Sequence, residues 1–153
     1  MITALLIVHG LLAVALLGAL THQSLAVVRP NPGGKRSFVD RFRSVNTPTF
    51  TNVIILLFVV TALGGGLLYP TYRLDVRTTL EDLQMRAANG VFEMKEHFVA
   101  VGLGLLPAYA FFWRMPLEPS YAGARRAVTW MLALVVWWSY LVGHVLNNIK
   151  GLF

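Results

Sequence analysis

No cysteine occurs anywhere in the 153 residues. Disulfides, iron–sulfur clusters and thiolate metal sites are therefore excluded. A metal or cofactor held by this chain would have to use His, Met, Tyr, carboxylate or backbone ligands. Charge is scarce too. Only 13% of residues are Asp, Glu, Lys or Arg, about half of the roughly 25% usual in soluble domains. The chain also has no Gly-Lys-Ser/Thr phosphate loop, no nucleophile elbow around Ser24, Ser37, Ser44, Ser120 or Ser139, no His-Glu-x-x-His motif, no internal repeat and no low-complexity tail. These absences remove nucleotide binding, serine hydrolysis and zinc peptidase chemistry in their usual forms.

What is present is apolar. Hydrophobic residues make up 56% of the chain, and the mean hydropathy is +0.62. A membrane-spanning helix needs about 20 such residues in a row. Four runs qualify, at about 2–28, 49–68, 91–113 and 127–149. The first has no basic leader and is longer than the apolar stretch of a signal peptide, so a retained helix is expected. The second is rich in β-branched residues, but in a bilayer every backbone group must be satisfied within the segment, and helix results. Thr47-Pro48 opens this span and Pro70 is expected to close it. Between Arg73 and Ala88, Leu80, Leu83 and Met85 alternate with Arg77, Glu81, Asp82 and Arg86. This pattern predicts a short amphipathic helix at the membrane interface, ended by Asn89-Gly90, with Arg77 and Glu81 one turn apart and able to pair. Pro107 is expected to kink the third span. The fold class expected is all-α: a single domain over residues 1–153, an integral membrane four-helix bundle with that interfacial helix between spans two and three.

The net charge of +6 sits in short loops beside apolar runs, which marks topology rather than a nucleic-acid footprint. The loops 29–46 and 114–126 share one face and hold eight Lys or Arg, while the opposite face holds five. The excess places the first face in the cytoplasm and both termini outside, in the inner (plasma) membrane. The basic loop 35–43 reads as a topology determinant or a contact to anionic lipid.

Candidate chemistry rests on four imidazoles in or beside the spans: His9, His22, His97 and His144. Ionisable groups in a membrane are costly and mark function by default, although a lone His can simply bond a backbone carbonyl. Up-down alternation brings His9, His97 and His144 to similar depth near the outer face and leaves His22 near the inner one. Two imidazoles on facing helices are the usual axial ligands of haem b. His97 and His144 are the expected pair, with His9 as substitute ligand or as a quinone or proton ligand. Tyr140, one turn from His144, could pack on the macrocycle, and Gly65, in the Gly64-Gly65-Gly66 run, could admit it. The aromatics read more readily as an interfacial belt, and the glycines as helix packing. His9 and His22 are 13 residues apart, about 19.5 Å along an ideal helix but rotated by about 220°. A second haem would need His22 with Met131. An alternative set, Glu93 with His97 plus His9 or His144, could bind Cu or Zn, with Glu93 as ligand or as the partner of an imidazole N–H. Glu93, Lys95 and Glu96 also read as an interfacial charge cluster paired with Arg86.

Four short-looped spans with His9, His22, His97 and His144 inside them resemble small bacterial membrane b-type cytochromes, such as the di-haem cytochrome b561 type and the haem-carrying anchors of respiratory complexes. The resemblance covers the span pattern and the His positions. It implies electron transfer linked to quinone or to a periplasmic partner. Two other classes stay open: a non-catalytic accessory or assembly subunit that packs on partner subunits or on a second copy of itself, and a His/Glu metal-binding membrane protein.

Overall fold

A computed structural model describes residues 1–28, 48–114 and 118–150, without the side chains of Pro48 and Lys150. The expected basic loop 29–46 lies outside the described residues. The described chain is helical throughout. Helix α1 spans Ile2–Val28, and α2 spans Pro48–Thr71. A π-helical turn, Tyr72–Val76, leads directly into α3, Arg77–Asp82. Helix α4 spans Arg86–Arg114. A 3₁₀ turn, Pro119–Tyr121, opens α5, Ala122–Lys150. Four helical rods are long and apolar enough to cross a membrane, the second being the continuous stretch Thr49–Asp82. They form a ring in which α1 touches α2 and α5, and α4 touches the same two helices from the other side.

The first span has the bounds expected from sequence. The second does not. Pro70 lies inside the helix, and the chain continues through the π turn to Asp82 instead of breaking into a separate interfacial helix. A proline removes one ladder hydrogen bond, and a wider π turn absorbs the mismatch without ending the helix. The inserted residue also rotates the next turns of helix, bringing Leu80 inward (2% exposed) against the start of α4. The reversal falls at 83–85, where Gln84 takes a left-handed φ of 58°. Asn89 and Gly90 therefore belong to α4 rather than closing the preceding segment. Helix α4 likewise runs on through Pro107.

The tightest packing lies at the end of the bundle where α1 finishes and α5 begins. Leu16 and Leu20 of α1, Ile54 and Phe58 of α2, Leu106 and Tyr109 of α4, and Val128 and Leu132 of α5 form one buried cluster. Among the described glycines, the tightest surroundings are those of Gly102 of α4. The Phe58 Cζ stands only 2.5 Å from where a Gly102 Cβ would be, and Val135 Cγ1 stands 3.1 Å away. Only glycine lets these helices come this near. The largest fully buried side chains, among them Tyr109, Leu20, Ile54, Leu132, Gln23 and Thr51, all belong to this half.

Candidate functional site

In the other half lie His9, His97 and His144. Each of their helices fixes a direction as well as a depth. On α4 the inward stripe is marked by Gly102, Tyr109 and Trp113, all buried. His97 precedes Gly102 by five residues, which turns it about 140° away from that stripe, and it is exposed. Its Nδ1–H donates to the Glu93 carbonyl oxygen at 2.8 Å. That bond leaves Nε2 as the free lone-pair nitrogen, directed away from its own helix.

On α5, Trp137 Nε1 donates to Thr21 Oγ1 of α1 at 2.9 Å, whereas Trp138 packs against Phe98 of α4. The two tryptophans thus identify the flanks of α5. His144 lies seven residues beyond Trp137, within about 20° of the same direction, so it sits on the flank toward α1 rather than toward α4. It too is exposed. Tyr140 stacks on its ring at 6.1 Å between centroids with 3° between planes, and Asn148 Nδ2 lies 3.2 Å from Nε2. His97 and His144 are presented on different outward faces. A bis-imidazole haem inside the bundle needs both rings turned inward, and in this arrangement they do not fit that role.

His9 meets α2. Its Nδ1 lies 3.2 Å from the Cβ position of Gly64, and its Cε1 lies 3.4 Å from that of Gly65. The glycines seat an imidazole against bare backbone; Gly65 faces His9. The Thr61 backbone is beside this ring, and Lys95 and Glu96 of α4 lie on its other side. Lys95 is itself enclosed: Nζ pairs with Glu96 Oε1 at 2.8 Å and stands 4.2 Å from the Phe92 ring centroid. His22 also meets α2, edge-on to Phe50 at 5.9 Å. Met131, expected at similar depth to His22, is 51% exposed on the outside of α5.

The Glu93 carboxylate turns to Arg77, whose Nη1 donates to Oε1 at 3.2 Å. Arg77 Nε also bonds Glu81 at 2.7 Å, the one-turn pair expected from sequence. Arg86 contacts Gln84 rather than Glu93 or Glu96. What Glu93 offers to His97 is its backbone carbonyl. Among the described residues, no three His, Asp or Glu side chains gather to hold a metal ion.

Sequence reasoning missed the polar contacts inside the packed half. Tyr109 donates its hydroxyl to Gln23 Oε1, and Trp113 Nε1 donates to Thr129 Oγ1 at 3.0 Å. Arg125, only 8% exposed, donates Nε to the Phe112 carbonyl at 2.9 Å and lies over the Trp113 ring. The available signal was a Gln and several Thr inside apolar runs. Such residues are hydrogen-bonding glue between membrane helices. No protein-family model, curated protein or solved structure matches this chain.

Proposed function

We propose that the chain is a small membrane subunit that works by packing against a partner, its outer half completed by protein rather than by lipid. One observation carries this reading: His97 and His144 are exposed on outward faces of two helices apolar enough to span a membrane. Imidazoles, and the Asn148 beside His144, are costly against acyl chains and turn toward protein or a water-filled cavity. The glue contacts of the opposite half supply a rigid base from which that surface is presented. The partner is another membrane protein or a second copy of this chain.

A second reading rests on the fixed ring of His97. An imidazole whose Nδ1–H is held by a backbone carbonyl has the orientation and tautomer of a metal or haem ligand. In that reading the chain is an electron-transfer subunit linked to quinone or a periplasmic partner. His97 or His144 would supply one axial ligand to a haem b, or one ligand to Cu or Zn, and the partner would supply the other. Haem would contribute one-electron chemistry. This chain would contribute ring orientation through Glu93, and stacking through Tyr140 at His144.

Purification in mild detergent with crosslinking decides between them. A colourless, metal-free complex with a second chain, lost when His97 and His144 are both replaced by Leu, supports the packing role. A Soret band near ~410–430 nm that sharpens on reduction and disappears in His97→Ala supports haem. Bound Cu or Zn without a Soret band supports the metal reading. A monomeric, colourless, metal-free protein defeats both.

A further inference from the structure

Where the apolar part of the bundle ends on the side of His97, Tyr69, Tyr72 and Phe92 stack on one another, Tyr72 and Phe92 with centroids 3.5 Å apart. Such aromatics settle at the height of lipid headgroups. Immediately above them, α3, the 83–85 turn and the start of α4 enclose an open polar cleft of about 460 Å³. Its buried corner is Asn89, 8% exposed. Asn89 Oδ1 accepts the Tyr72 hydroxyl at 3.0 Å, so its amide nitrogen is the group left to donate. The lining carries the carboxylates of Glu81 and Glu93, drawn together on Arg77. It also carries Arg86, whose hydrogen bond among the described residues is to Gln84 Oε1 at 3.5 Å, the outer limit of such a bond.

The lining therefore holds two cations and two anions, with Arg77 paired to both carboxylates and Arg86 bonded to neither among the described residues. A purely anionic ligand would meet Glu81 and Glu93, and a purely cationic one would meet Arg77 and Arg86. A neutral zwitterion can satisfy both. We propose that this cleft binds a phosphoethanolamine headgroup, the phosphate on Arg86 and the Asn89 amide, the primary ammonium on Glu81 and Glu93. The Arg86 guanidinium, which makes only the long Gln84 contact among the described residues, can grip phosphate bidentately. An ammonium brings three N–H donors to carboxylates that Arg77 does not saturate, whereas a choline has none to offer. The stacked aromatics beneath the cleft give acyl chains an apolar exit, which makes a membrane phospholipid the source. The site does not depend on either functional reading above.

Native mass spectrometry of the detergent-purified protein, titrated with phosphatidylethanolamine, phosphatidylcholine or phosphatidylglycerol of matched chains, tests this. Phosphatidylethanolamine should be retained preferentially. Arg86→Gln should weaken it about tenfold, as expected for loss of a charge-assisted contact. Arg73→Gln, outside the cleft, should leave it unchanged. If Arg86→Gln alters the helical circular-dichroism spectrum, Glu81→Gln serves instead and should erase the preference over phosphatidylcholine. Glycerophosphoethanolamine should compete weakly, because it lacks chains; competition as strong as that of the lipid would keep the headgroup chemistry and move its source to a soluble molecule. Equal retention of the three lipids, a preference for phosphatidylglycerol, or full retention by folded Arg86→Gln and Glu81→Gln overturns the proposal.

Discussion

Tyr109 of α4 and Gln23 of α1, separated by 86 residues in sequence, are joined by a hydrogen bond at the buried centre of the packed half. Both side chains are wholly inaccessible, and Thr51 of α2 adjoins the same hydroxyl. Three helices thus meet at one phenol. Replacing Tyr109 by Phe keeps the ring and removes only the donor, leaving the Gln23 amide oxygen unpaired. The expected cost is about 1–2 kcal/mol of bundle stability, read from unfolding in mixed micelles. No loss would mean that the contact is incidental to the fold.

Gly102 and Gly104 lie two residues apart on α4 and should respond oppositely to Ala. A methyl at Gly102 would strike Phe58, at 2.5 Å, and press on Val135. Overpacking of this kind costs about 1–3 kcal/mol. Nothing lies within 4 Å of a Cβ at Gly104. There the substitution should be neutral or stabilise by about 0.5–1 kcal/mol, because Ala restricts the helix less expensively than Gly. The same micelle unfolding assay compares the two.

Gly64 and Gly66 give a parallel contrast in the other half. Gly64→Val should push His9 off its seat and cost about 1–3 kcal/mol. Gly66→Val meets open space and should change stability by less than about 0.5 kcal/mol. His9→Ala should make Gly64→Val nearly harmless. A double-mutant cycle measures that coupling, and additive effects would show that His9 is not what the glycine accommodates.

Orientation is tested with a reporter fused after Phe153. The Lys and Arg distribution between the two faces predicts activity only for a reporter that works outside the cytoplasm. Activity of a cytoplasmic reporter at the same position would invert the topology.

Four helices long and apolar enough to cross a membrane were legible in the sequence because a bilayer imposes a simple rule: about 20 apolar residues bounded by charge or Pro. Ile2–Val28 obeyed that rule where it ends, just before Arg29. Pro70 misled because the rule treats Pro as a terminator, whereas a π turn can carry a membrane helix past it. The position of His9, His97 and His144 along their helices was likewise readable, since each residue adds a fixed rise. Their directions were not. Each residue also turns the side chain by about 100°, and which direction faces the interior depends on where the neighbouring helices sit. Close packing decided that: Phe58 against Gly102, Trp138 against Phe98, and Trp137 bonded to Thr21. The sequence alone therefore determined four apolar rods and the position of each imidazole along its rod. Only the tertiary structure turned His9 onto α2 and left His97 and His144 facing outward, because rotation about a helix axis is set by interhelical contacts that no single segment encodes.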